Sequence, residues 1–274
     1  MPTVWRPAFL AALLVVLAGC TAIGFGPGSP TPTPTATPAW PDELPPGLTT
    51  AKVSDSLDLA RAHTAGLSGK SFTYRATITA RSTEGLRLGT VRIERRVAPD
   101  GRFVHRMRVD GVVPSTVATV RAVDAYSDGS VVLIRFRKEG RNRTLETALA
   151  ESPIQPYDVI QKGPLYSMLS ATEPEVIRPL RRGGVTYLHL KGANGSTQFG
   201  LTEASNMTFQ ALVAPNGVVH RYAVRYHAVE TDYAAWEGRI ERTVLYEDIG
   251  TTTVEQPSWA PEERANATEV PTGR

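Results

Sequence analysis

The side chains with chemistry to offer are few, and their spacing limits what they can do. The 274-residue chain has one cysteine, Cys20, and five histidines, His63, His105, His189, His220 and His227. No His-Glu-x-x-His pairing occurs, so no helix face presents two zinc ligands beside a general base. His220 and His227 are seven apart and fall on opposite faces of a strand. A metal site would have to gather ligands from separate strands; half-buried strand positions and a helix end account for the same histidines without a metal. Gly66-Leu-Ser-Gly-Lys-Ser71 has the closing half of a phosphate loop, but Thr64 stands where the first glycine belongs. Such a loop also follows a strand and opens a helix, whereas here a helical pattern precedes it and a strand pattern follows. No Gly-x-Ser-x-Gly elbow occurs. Asp124, Asp128, Glu230 and Asp232 have no spacing that singles out an acid–base pair. The chain reads as non-enzymatic, with no cofactor and no metal.

Cys20 sits directly after an apolar run. Met1 to Arg6 carries one fixed positive charge, Ala8 to Leu17 is almost wholly apolar, and Ala18 and Gly19 are small. A charged start, a short apolar stretch and small residues at a cut site make a secretory signal. The run falls short of the about 20 residues that span a bilayer. There is no Arg-Arg pair, so the general secretion route is expected. Leu17-Ala18-Gly19-Cys20 resembles the lipobox of bacterial and archaeal lipoproteins. That resemblance implies cleavage before Cys20, a lipid on its thiol, and a protein held on the extracellular face of the cell membrane. The mature chain then has no disulfide and no thiolate nucleophile, and its folded part, about 220 residues, is long enough for a core that stands alone.

Thr21 to Thr50 is dense in Pro, Thr and Gly. It cannot bury a core, and its alternating prolines favour an extended, semi-rigid spacer. The expected organisation is a signal peptide at 1–19, lipidated Cys20 and linker over 20–50, a folded domain over 51–259 and a flexible tail over 260–274. Four sequons, at Asn142, Asn194, Asn206 and Asn266, mark candidate glycosylation sites of an exported surface. The formal net charge is +3, too nearly balanced to argue for nucleic acid. Arg135, Arg137, Lys138, Arg141 and Arg143 cluster round one hairpin, and Arg92, Arg96, Arg106 and Arg108 lie on earlier strands. They read either as a face for anionic headgroups, wall glycans or an acidic protein layer, or as a solvated convex face partly neutralised by Glu94, Asp110 and Glu139. The second reading is preferred.

Positioning these groups are one helix and many strands. Val53 to Leu67 repeats apolar residues near a 3.6 period, with Val53, Leu57, Ala60, Thr64 and Leu67 on one face and His63 turned toward the sheet. The period then switches to two, first in Phe72/Tyr74/Ala76/Ile78/Ala80 and later in Phe103/His105/Met107/Val109 and Val132/Ile134/Phe136. Such alternation marks antiparallel strands with one wet and one covered face. Asp100-Gly101 and Asn216-Gly217 suit tight hairpins. Leu165, Met168 and Leu169 suggest a short helix after Pro164, in mid-chain. The expected fold is α+β, mainly β: a curled antiparallel half-barrel, a meander of roughly nine to eleven strands. The N-terminal helix and the mid-chain helical segment lie on its concave face.

These elements, with the lipobox and linker, resemble the LolA/LppX-type lipoproteins. "AHTAGLSGKSFTYRATIT", "NGVVHRYAVRYH" and "YEDIGTTTVEQPSW" resemble uncharacterised surface lipoproteins of haloarchaea. The resemblance implies a scaffold that holds lipids or other apolar molecules between sheet and helices; it carries no catalytic residues. The candidate lining is Phe72, Tyr74, Ile78, Phe103, Met107, Leu165, Met168 and Leu169. Two alternatives stay open: an envelope-structural or interaction module with a solid core, meeting an envelope protein or glycan, and a sensory domain of the same fold.

Overall fold

The computed structural model describes residues 38–113, 120–138, 141–200, 202–230 and 236–269. The signal sequence, Cys20 and the linker up to residue 37 lie outside these residues, as do Glu139-Gly140, Asp232 and 270–274.

The period-two runs are strands. β1 (Phe72–Ser82), β2 (Arg87–Val97), β3 (Phe103–Gly111), β4 (Val120–Ser127), β5 (Val131–Lys138) and β6 (Arg141–Ala148) follow α1 (Ser56–Leu67). After α2 (Lys162–Thr172) come β7 (Glu175–Arg182), β8 (Val185–Phe199), β9 (Thr202–Val213), β10 (Val219–Glu230) and β11 (Trp236–Glu247). A short helix α3 (Ala260–Ala265) and a two-residue strand β12 (Thr268–Glu269) follow. All belong to one curled, open sheet in the order β12-β6-β5-β4-β3-β2-β1-β11-β10-β9-β8-β7. The eleven long strands pair antiparallel, and β12 adds a parallel pair on β6. The expected half-barrel is there, with a different connectivity. Two meanders, β1–β6 and β7–β11, run in opposite directions from a seam where β1 pairs with β11.

The seam shows why one face is covered. Tyr74 lies opposite Tyr246 and Ala76 opposite Val244, and directly opposed residues share a face. Phe72, Tyr74, Phe103, Tyr222 and Tyr246 are buried on this inward face beneath the buried side of α1, which is Leu59, Ala60, His63 and Leu67. The helix opens at Ser56, not at Val53, because Asp55 caps it: its carboxylate accepts the N–H groups of Leu57 and Asp58, each at 2.9 Å. Val53 instead donates its N–H to the Pro174 carbonyl at 2.9 Å. Leu59 is buried with Ala60, His63 and Leu67, while Leu57 and Thr64, expected on that face, are half-buried. Gly217 sits in its hairpin at φ 82°, a conformation that favours glycine, and a Cβ there would come within 2.5 Å of Ala62 Cβ.

α2 lies on β8 with equal closeness. A Cβ on Gly192 would stand 2.5 Å from the Thr172 carbonyl oxygen, and one on Gly195 2.5 Å from that of Ala171. Gly192→Val is therefore expected to lift the end of α2 and destabilise the domain by about 1–3 kcal/mol. A lowered urea midpoint with an unchanged slope is the expected reading; an unchanged midpoint would mean that α2 does not need this contact.

Residues 260–269, expected within a flexible tail, include α3 and β12. Ala260 is buried with Tyr126 and Leu133 on the outer face of β4 and β5. The Arg135 guanidinium lies 4.6 Å from the Trp259 ring centroid. No sequence periodicity could announce a helix this short.

Candidate ligand-binding face

The chain leaves β6 near one edge of the sheet and enters β7 at the other, so residues 149–174 run across the inward face. The 3-10 turns Leu149–Glu151 and Asp158–Ile160 and helix α2 make the crossing. Polar side chains hold it down. Tyr246 donates its hydroxyl to the Val159 carbonyl at 2.6 Å. Val219 N–H donates to His63 Nδ1 at 3.2 Å, which assigns the imidazole proton to Nε2, 3.2 Å from the Ile160 carbonyl oxygen. Buried Arg95 donates to the Asp158 carboxylate and the Gln155 carbonyl, and through Nε to His105 Nδ1 at 3.2 Å. Gln161, held at φ 58°, accepts from Arg242 and, at 3.1 Å, from the Tyr222 hydroxyl.

These bonds fix the crossing segment on the sheet. Burial lowers the His63 pKa to about 4, against the opposing pull of the Ile160 carbonyl. Burial, then the Arg95 charge, lowers that of His105 to about 3. Both rings are neutral near neutral pH; His63 has both nitrogens engaged, and His105 accepts from Arg95 at Nδ1. Burial likewise holds the Tyr222 and Tyr246 phenols above their ordinary range. His63 is turned toward the sheet as expected, and it meets a strand at Val219. Among the described residues no group of three or more His, Cys, Asp or Glu is placed to hold a metal ion.

The eight candidate lining residues do not share one space. Phe72, Tyr74, Phe103, Leu165, Met168 and Leu169 are at most 1% exposed and fill the half of the concave face beneath the helices. Ile78 lies further along its strand, half-buried, against a second apolar cluster of Ala80, Val91, Val113, Ala228 and Ile240, and half-buried Met107 stands between that cluster and the main core, touching both. The alternation identified the right face; it carried no signal for how far along the strands the helices reach.

The uncovered half leads to a pocket. Ala76, Ile93, Met107, Val123 and Phe136 oppose one another across successive strands and end at Arg143 on β6. Ile93, Met107 and Phe136 along this row are only partly buried. At its β6 end an open pocket of ≈ 840 Å³ has Val120, Phe136 and Leu145 as its apolar lining and Lys138, Arg141, Asn142 and Arg143 as its polar lining. Register places these cations on the inward side, because Lys138 opposes Arg141 and Phe136 opposes Arg143. Lys138, Arg141 and Arg143 are exposed, and none forms an ion pair with a described carboxylate.

The hairpin's cations are thus two groups, not the single cluster their spacing suggested. Arg135 and Arg137 point outward to Asp124, which is 2% exposed and accepts from Arg108 at 2.7 Å, Arg135 at 3.2 Å and Arg137 at 2.9 Å. Glu94 pairs with Arg75 and Arg96, and Asp110 with Arg87, so that part of the outer face is neutralised as expected. The inward trio is not. Strand parity separates Phe136 and Lys138 from Arg135 and Arg137, and that was the available signal. The sequon residues Asn142, Asn194, Asn206 and Asn266 are all exposed.

No family model matches the chain, and no curated protein matches it. Among solved structures it is similar to LprF from Mycobacterium bovis, at 11% identity over 76% of this chain and 98% of that one, with a TM-score of 0.40. It is also similar to a DUF1329 family protein from Desulfovibrio piger, at 11% identity, 77% and 97% coverage and a TM-score of 0.28. A LolA superfamily protein from Nitrosomonas europaea is similar at 9% identity, 74% and 95% coverage and a TM-score of 0.26. At these scores the fold rests on the chain's own sheet and the functional reading on its own pocket.

Proposed function

We propose that this domain binds a lipid or other apolar chain, without catalysis, on the uncovered half of its concave face. The proposal includes a lipid anchor at Cys20 and a site of action at the cell surface. The observation that carries the binding reading is the partly buried row Ile93–Met107–Phe136 running into a pocket with an apolar floor and an unneutralised cationic rim. Its ≈ 840 Å³ lies within the roughly 300–1,000 Å³ of small-molecule sites. Each methylene moved from water onto the row contributes about 0.8 kcal/mol. Lys138, Arg141 and Arg143 then favour an amphiphile whose head is anionic, because no described carboxylate competes for them.

Titration with a fluorescent polyene fatty acid and with its methyl ester tests this. The acid is expected to bind more tightly than the ester. Lys138→Glu with Arg141→Glu and Arg143→Glu is expected to weaken acid binding at least about tenfold, or ~1.4 kcal/mol, and to leave the ester nearly unchanged. Phe136→Arg is expected to weaken both. Absence of saturable binding by either probe to a folded chain would end the proposal.

A further inference from the structure

On the opposite, outer face, strands β7 to β10 carry a second concavity. Arg178 opposes His189, His189 opposes Leu212, and Leu212 opposes Arg221. Arg178, Arg182, His189, Gln210 and Arg221 line a pocket of ≈ 350 Å³ there. None of its three arginines forms an ion pair with a described carboxylate. Elsewhere on the outer face Arg75, Arg81, Arg87, Arg96, Arg108, Arg135, Arg137 and Arg225 form such pairs, while Arg92 and Arg106 form none among the described residues. Of the carboxylates on these strands, Glu175 lies opposite Lys191 and Glu203 opposite Gln198. His189 Nδ1 is buried and has no hydrogen-bond partner. Gathering three like charges around one pocket is unfavourable, and an anionic occupant relieves it.

We propose that this outer-face pocket is a binding site for a phosphate-type oxyanion. Arg178, Arg182 and Arg221 supply charge-assisted donors, which in guanidinium form match two oxygens at once. Gln210 supplies an amide N–H, and the His189 ring lies in the wall beside them. The site is separate from the concave pocket and independent of it: it needs no apolar chain. The same chemistry fits a free phosphoester or a phospholipid headgroup, and the experiment separates them.

Burial, then the charges of Arg178, Lys191 and Arg182, lower the His189 pKa in the free protein. An anion in the pocket reverses the charge contribution. NMR of the imidazole groups in the full chain, titrated with inorganic phosphate and with glycerol phosphate, reads this directly. The expected result is a saturable shift at His189 with a rise of its pKa toward the ordinary value of about 6.5, and little change at His227. Arg178→Gln with Arg221→Gln is expected to weaken binding at least about tenfold. A second arm sediments the protein with phosphatidylglycerol or phosphatidylcholine vesicles. Capture by phosphatidylglycerol that the double variant loses assigns the oxyanion to a headgroup; response to soluble phosphate alone assigns it to a free phosphoester. No saturable change at His189, or an equal change at His227 that survives in the double variant, would overturn the site.

Discussion

Replacing Asp124 with alanine is expected to destabilise the domain by about 3 kcal/mol, the low end of what breaking a buried ion pair costs. The carboxylate is nearly inaccessible and is shared by Arg108, Arg135 and Arg137. Arg108 and Arg137 are half-exposed and can turn to water, which limits the loss. Arg135 is only 16% exposed, and it would be left with Glu263 and the Trp259 ring. Because Glu263 also accepts from the Thr144 hydroxyl at 2.6 Å, disturbing Arg135 should loosen α3. The chemical-denaturation midpoint is expected to fall, and protease nicking near Trp259 is expected to quicken before global unfolding. Asp124→Asn, which keeps acceptor and shape but not charge, is expected to fall between. The wild-type charge also sets an acid limit. Burial alone would raise the Asp124 pKa, but the hydrogen bonds and charges of Arg108, Arg135 and Arg137 hold it below the ordinary range. A depressed folded pKa gives stability that is present above the unfolded value of about 3.9 and lost as pH falls through the folded one. That acid dependence should be shallower in Asp124→Ala; an identical acid profile would show that the carboxylate is not the group titrating.

The buried histidines give a second, separate pH window. His63 folds neutral with its pKa lowered to about 4, and His105 with its pKa lowered to about 3. In the unfolded chain both take up a proton near pH ~6.5. The unfolded state therefore binds more protons below that value, and stability falls as pH drops. The contribution is whole above about pH 6.5 and is lost progressively down to about pH 4 for His63, by roughly 3 kcal/mol. His63→Phe is expected to cost stability near neutral pH, because the Val219 N–H loses its partner and the Ile160 carbonyl keeps only the Tyr246 hydroxyl at 3.4 Å, at about 1–3 kcal/mol for a group left buried. It is also expected to flatten the slope of stability against pH in this window. Urea midpoints measured across it for both proteins decide the matter, and parallel slopes would contradict the assignment.

How much of this was legible in the sequence depended on the range of each interaction. Alternation in runs such as Phe72/Tyr74/Ala76 is local, and it correctly gave strands, their covered face and a mainly β half-barrel. The helix around Leu165, Met168 and Leu169 was equally local. The seam between β1 and β11 was not: Thr73 meets Glu247 across the intervening strands of both meanders, and two meanders have the same local pattern as one. The candidate site was half legible for the same reason. Met107 and Ile78 were assigned to the inward face with residues that proved to be solid core, because only tertiary packing decides where α1 and α2 stop. The basic hairpin was misread as one cluster although strand parity divides it. Asp124, with no distinctive spacing, became visible as the centre of three arginines only once β3, β4 and β5 were side by side.

In the proposed complex an apolar chain lies along Met107 and Phe136 with its head at Lys138, Arg141 and Arg143. A fatty acid carrying a photoreactive group near its tail, activated on the folded chain and mapped by peptide mass spectrometry, reads that position. The account expects adducts on peptides of the inward strands β3 to β6, centred on Met107 and Phe136 and suppressed by excess unlabelled acid. Adducts confined to the outer strand faces, or none that the competitor removes, would contradict it.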